Sequence, residues 1–148
     1  MAHINSRFDM CADLTLPSVP ALPERRDTRQ AMLRGARGRC PACGTGRLFS
    51  RYLKVADHCA ECGEDLRHQR TDDGPAYLTI LVVAHLVGPI LLIVFVAWRP
   101  DPLVLVATFC VGATVLSLLL LPVFKGAMVG FQWAHRMHGF GGEEPHHD

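Results

Sequence analysis

Arg39-Cys-Pro-Ala-Cys-Gly44, answered by His58-Cys-Ala-Glu-Cys-Gly63, is the stretch from which the rest of the chain is read. Its two Cys-x-x-Cys pairs, Cys40/Cys43 and Cys59/Cys62, are separated by the fifteen residues 44–58, which is the spacing of a four-cysteine zinc site. Two thiolates three positions apart can face one ion across a tight turn. Gly44 and Gly63, one after each pair, suit the left-handed backbone such a turn requires. The apolar residues between the pairs, Leu48, Phe49, Tyr52, Leu53 and Val55, are too few to fill an ordinary core. Metal therefore supplies the folding energy, on the order of 10–16 kcal/mol for a structural zinc. Arg37, Arg39 and Arg47 stand near enough in sequence to offset the charge of four thiolates on one divalent ion.

A Cys-x-x-Cys pair also serves thiol redox chemistry, and Cys40-Pro-Ala-Cys43 has that form. No strand-helix-strand pattern surrounds it, and a second pair sits at metal spacing, so zinc is the primary reading and a thiol oxidoreductase using Cys40/Cys43 an alternative. Four thiolates close the coordination sphere, which points to a structural ion (Zn2+) and away from a catalytic one with an open position.

Outward from the ribbon the chain divides. Of 148 residues, 15 are Lys or Arg and 14 Asp or Glu; twelve of the basic and ten of the acidic residues lie in 1–75, while the long apolar runs come later. Upstream, 1–30 carries Pro17, Pro20 and Pro23 without sustained periodicity and reads as a disordered N-terminal tail with an unpaired Cys11. It lacks a signal-peptide pattern, so the ribbon is expected in the reducing cytoplasm. Ala31-Met-Leu-Arg34 is expected to form one helical turn ending at Gly35. The arginines that follow invite a nucleic-acid reading. The charge of the polar half is too balanced for that, and no nucleic-acid partner is expected; arginines beside a membrane contact lipid headgroups or set topology.

Downstream, 76–97 holds twenty-two residues without formal charge apart from His85, about 33 Å of helix, enough to cross a bilayer. Asp72-Asp-Gly-Pro75 is a start signal. Pro100-Asp-Pro102 turns the chain, and 103–121 supplies a second apolar run. The loop carries Arg99 alone whereas the flanks carry Arg67, Arg70, Lys125 and Arg136, so both termini are expected on the cytoplasmic side of a bacterial inner membrane.

Within the hairpin His85 lies near mid-bilayer, where ionisable side chains are rare. Pro89, four residues on, cannot donate to its carbonyl. Thr114 and Ser117 are expected at similar depth, on a face with Cys110, making an intramembrane polar site in which His85 hydrogen-bonds one of them. The functional alternative is a metal- or haem-handling protein using His85 or the C-terminal histidines His135, His138, His146 and His147. Gly88 and Gly112 are candidate points of close helix contact. After Pro122, Lys125 to Phe140 mixes apolar and basic residues with Trp133 and reads as an interfacial segment or an extension of the second span.

The expected fold class is thus a membrane, mainly α chain, a two-helix transmembrane hairpin preceded by a small four-cysteine zinc ribbon. Its divisions are a tail at 1–30, a zinc ribbon with basic lead-in at 31–75, a hairpin at 76–124 (helices 76–98 and 103–123), an interfacial amphipathic segment at 125–140 and a flexible tail at 141–148. The segments Arg34-Gly-Ala-Arg-Gly-Arg-Cys-Pro-Ala-Cys-Gly44, Leu48-Phe49, Cys59-x-x-Cys62-Gly63, Asp72-Asp-Gly-Pro-Ala-Tyr-Leu-Thr-Ile80, Leu121-Pro-Val-Phe-Lys-Gly-Ala127, Gln132-Trp133 and Arg136-Met-His-Gly-Phe140 resemble, over residues 31–140, the bacterial family known as domain of unknown function 983. The resemblance implies a small zinc-ribbon-like membrane protein. Some members are encoded beside cytochrome oxidase subunits and assembly factors, so it also implies a role near the aerobic respiratory chain. No catalytic residue follows from it. The function expected is that of an accessory protein, not an enzyme, contacting membrane lipids and another integral membrane complex, with a respiratory oxidase favoured.

Overall fold

The computed structural model describes residues 25–140. Residues 1–24 of the tail expected at 1–30, with Cys11, and the tail expected at 141–148, with His146 and His147, lie outside the described residues.

The first helix, α1 (Thr28–Ala36), is longer than the single turn expected and begins inside the stretch read as tail. Its start is fixed by Asp27, whose side chain accepts from the Gln30 amide at 3.2 Å. Its end is a left-handed Gly38 (φ 70°), with the Arg39 amide bonding back to the Arg34 carbonyl. A two-stranded antiparallel hairpin follows, β1 (Phe49–Arg51) and β2 (Lys54–Val55), turning at Tyr52-Leu53.

Two long helices make up the rest. Helix α2 (Gly74–Trp98) has Pro75 in its first turn and ends at Arg99 in a left-handed conformation. Helix α3 (Pro102–Ala134) is capped by Asp101, whose side chain accepts from the Leu103 amide at 2.9 Å. Both are long and apolar enough to cross a membrane, as the hairpin reading requires. From Gly74 to Leu121 nearly every side chain is exposed or half-exposed, and the buried positions are Pro75, Thr79, Val83 and Leu105. Large apolar surfaces of that kind belong against lipid or another apolar partner.

The second helix runs past its expected end. Its 33 residues rise about 50 Å, against about 30 Å for a bilayer core, so its last turns project beyond the apolar part. The separate segment expected at 125–140 is instead the continuation of α3 as far as Ala134, followed by a short 3-10 turn at Met137–Gly139. Pro122 does not end the helix. Lacking an amide hydrogen, it cannot bond the carbonyl four residues back, that of Leu118. The Tyr52 hydroxyl donates to this carbonyl at 2.6 Å. The tip of the ribbon hairpin thus satisfies the group that the proline leaves open.

Helix α1 crosses the projecting end of α3 at a glycine contact. A β-carbon on Gly35 would run into the Gly126 carbonyl, and one on Gly130 into the Ala31 carbonyl. Only hydrogen atoms fit between these backbones. Gly88 and Gly112, expected to mark close helix contacts, have nothing within 4 Å of where a β-carbon would stand. Close approach occurs outside the apolar spans, at α1 and α3.

Candidate metal centre

Each cysteine pair sits in the same small turn. The Gly44 amide donates to the Cys40 carbonyl and the Gly63 amide to the Cys59 carbonyl, both at 2.9 Å, with both glycines left-handed (φ 76° and 74°). The chain then pairs back on itself, Cys40 N–H to the Gly46 carbonyl at 2.8 Å and Cys59 N–H to the Glu64 carbonyl at 2.9 Å. Two such turns facing each other bring all four sulfurs together.

The four Sγ atoms lie within 4.8 Å of one another, Cys40 to Cys62 and Cys43 to Cys59 at 3.8 Å. A tetrahedral zinc with bonds of about 2.3 Å places its sulfurs about 3.8 Å apart. A disulfide needs about 2.05 Å, so these are four separate thiols arranged as a ligand cage. They form a cluster able to hold a metal ion, and the residues present fit the ion that their spacing implies. Cys40 and Cys59 are buried, while Cys62 faces solvent.

The electrostatics are uneven. The Thr45 hydroxyl (3.2 Å) and the Gly46 amide (3.5 Å) donate to the Cys43 sulfur and hold its pKa down to about 6. Burial pushes the Cys40 thiol well up and, more mildly, that of Cys62. A cation bound in the cage would stabilise every thiolate at once. The expected arginine neutralisation takes another form. Arg34, on α1, donates to the carbonyls of Pro41 and Ala42 at 3.2 and 2.9 Å, bracing the first cysteine turn through its backbone.

The second turn is braced from α3. Trp133 Nε1 donates to the Glu64 carboxylate at 2.7 Å. The Gln132 side-chain amide pairs with the backbone of Arg70 in both directions, accepting from its N–H at 3.1 Å and donating to its carbonyl. Arg26 lies over the Trp133 ring, 4.2 Å from its centroid, and donates to the Trp133 and Phe140 carbonyls at the end of α3. Nearby, Arg67 holds the Asp65 carboxyl well below the usual carboxylate range.

The ribbon therefore does not close its own core. Cys40, Leu48, Val55, Cys59 and Leu66 share one buried cluster with Val129 of α3 and with Phe140. Of the apolar residues expected inside, Leu48 and Val55 are buried, Phe49 is half-buried and Tyr52 is exposed. Sequence reasoning missed Leu66, Val129 and Phe140, as well as the anchoring roles of Gln132, Trp133 and Glu64. The Gly126/Gly130 pair, four apart on one helix face, was the available signal for a docked neighbour.

The intramembrane polar site does not form. Thr114 Oγ1 donates to the carbonyl of Cys110 in its own helix at 2.8 Å. His85 Nδ1 meets the Leu81 carbonyl, also in its own helix, at 2.8 Å. Both are exposed, and Ser117 is half-buried on α3. Side chains with acceptors one turn back need no interhelical partner. Because a carbonyl only accepts, Nδ1 carries a hydrogen in this bond. His135 likewise bonds back to the Phe131 carbonyl, at 3.0 Å, and stacks on that ring; among the described residues the cysteine cage is the one group of three or more His, Cys, Asp or Glu side chains able to hold a metal ion.

The family model described as "Protein of unknown function (DUF983)" matches residues 49–133, more than half of the chain. That span takes in Cys59/Cys62, both long helices and Gln132-Trp133, and begins after Cys40/Cys43. No curated protein and no solved structure matches.

Proposed function

The chain belongs to the DUF983 family, and from that premise we propose that it is a membrane-anchored zinc-ribbon accessory protein acting through protein contacts, as a subunit or assembly factor of a respiratory oxidase. The observation that carries the contact reading is the closed set of four cysteine sulfurs, braced on both sides by α1 and α3. An ion held there has no open position for water or substrate. In this reading zinc fixes the ribbon as a rigid head on the end of α3, and the long exposed helix surfaces meet lipid and the partner complex. Both termini face the cytoplasm of a bacterial inner membrane, with the loop carrying Arg99 on the other side. An oxidase is favoured on the resemblance to proteins encoded beside oxidase genes.

The test is a mild-detergent purification of the tagged chain from its own membranes, with mass spectrometry of what accompanies it. Oxidase subunits or assembly proteins at constant ratio to the chain are expected, together with reduced oxidase activity in a deletion strain. Normal oxidase activity and no accompanying membrane complex would contradict the proposal.

One observation favours a second reading, metal or haem handling through His85. The bond from Nδ1 to the Leu81 carbonyl leaves Nε2 outside that bond on an exposed side chain, and metal-ligating histidines use one ring nitrogen while the other bonds a carbonyl. Loss of function in His85→Phe with retained ribbon metal supports it; an unchanged phenotype removes it.

A further inference from the structure

The tip of the β1–β2 hairpin comes down against α3, and Tyr52 bonds the Leu118 carbonyl. Leu118 belongs to the apolar run, whereas Lys125, seven residues on, lies where α3 leaves it. Seven residues are two helical turns, so both lie on one face, about 10 Å apart along the axis. The hairpin tip therefore stands at the level where acyl chains give way to headgroups. Tyrosine is enriched at that level.

Between the hairpin and α3 lies a cavity of about 450 Å³, within the usual range of small-ligand sites. Leu53 contributes apolar surface to it, backed by the buried Val55 and Leu66, and Lys54, Arg67 and Lys125 contribute positive charge against the single carboxylate of Asp57. Arg67 is engaged by Asp65 at 2.9 Å. Lys54 and Lys125 form no ion pair among the described residues. One comes from the ribbon and one from the membrane helix, so the positive groove exists only when the ribbon is docked.

We propose that this groove binds the phosphate headgroup of one anionic phospholipid. Lys54 and Lys125 engage the phosphodiester as point charges, and the apolar side receives the glycerol end of the acyl chains. The shared chemistry is that of any phosphate. The depth set by Tyr52 and the apolar wall select a membrane-bound source. A zwitterionic lipid carries its own cation beside the phosphate and competes poorly. Because every lining residue except Lys125 comes from the ribbon, metal removal abolishes lipid selectivity. The inference needs the hairpin to span a bilayer but no particular partner complex, so failure of the oxidase test leaves it standing.

The test uses the full metal-loaded chain in nanodiscs of phosphatidylcholine containing phosphatidylglycerol, with retained lipid read by native mass spectrometry and zinc measured on the same sample. The expected result is preferential retention of one phosphatidylglycerol per chain. K54Q/K125Q is expected to weaken that retention about tenfold or more with zinc unchanged. R25Q/R29Q removes the same charge from exposed positions that do not line the groove, and is expected to keep it. Equal retention of both lipids, no effect of K54Q/K125Q, or equal loss in both double variants overturns the proposal. Saturation by inorganic phosphate at the same concentration also overturns it, assigning the groove to a soluble anion.

Discussion

The two halves of α3 are one continuous helix in different surroundings. From Pro102 to Leu121 it is mostly Leu, Val and Ala with no charged residue, and Leu105 is its one buried position. From Gly126 to Gln132 it alternates glycines with larger residues, and Gly126, Val129, Gly130 and Gln132 are buried. The first half suits an apolar solvent because it carries no charge and its Thr114 hydroxyl bonds back into its own helix. The second suits a protein neighbour, because glycines admit a backbone and an amide replaces the hydrogen bonds that water would have made. Residue size and the placement of one glutamine tell the halves apart.

The change that separates them most is loss of the metal. Cys59→Ser is expected to abolish stoichiometric zinc and to unfold the ribbon, withdrawing binding free energy on the order of 10 kcal/mol, while the helical content of the hairpin persists. Zinc analysis with limited proteolysis over 38–73 reads this; a variant that still resists protease shows that docking on α3 holds the ribbon without metal.

The glycines make the comparison quantitative. Gly126→Ala puts a methyl group into the Gly35 carbonyl and is expected to cost roughly 3 kcal/mol. Gly88→Ala and Gly112→Ala meet open space and are expected to leave stability unchanged or raise it by up to about 1 kcal/mol. Thermal unfolding in detergent ranks the three. If Gly88→Ala folds normally but fails to recover a partner, that face of α2 is where the partner sits.

Gln132→Leu removes both bonds to the Arg70 backbone and is expected to cost about 2 kcal/mol, read as faster amide exchange over 68–72. Tyr52→Phe leaves the Leu118 carbonyl without its donor, for about 1 kcal/mol, with exchange rising around Pro122 and not at the loop. The smallest effect belongs to Asp65. Its pKa is depressed by Arg67, so its contribution is present above the ordinary carboxylate value and lost as pH falls through the lower folded one. Asp65→Asn is expected to lower stability slightly at pH 7, leave it unchanged in acid and so flatten the acid limb of the stability curve.

Most of this arrangement was legible in the chain, for identifiable reasons. Cysteine spacing is a local signal, and the turns Cys40–Gly44 and Cys59–Gly63 form as that signal implies. Twenty uncharged residues in a row are equally direct, so α2 and the first half of α3 lie where they were expected. What could not be read was partnership at long range. Pro122 looked like a stop because the Tyr52 hydroxyl that compensates it is 66 residues away from Leu118 in sequence. His85 and Thr114 looked like a pair because their own-helix carbonyls, one turn back, were not weighed as acceptors. Lys125 to Phe140 looked interfacial because its basic residues and Trp133 suit headgroups, whereas Gly126 and Gly130 are the seat of α1.

The central claim is that one zinc ion, held by four thiolates, organises the ribbon that rides on α3. X-ray absorption at the zinc edge of the purified, detergent-solubilised chain tests it most directly. The account predicts one zinc per chain with about four sulfur neighbours at about 2.3 Å, falling to background in Cys59→Ser. A chain purified without zinc, or a zinc shell containing nitrogen or oxygen ligands, contradicts it.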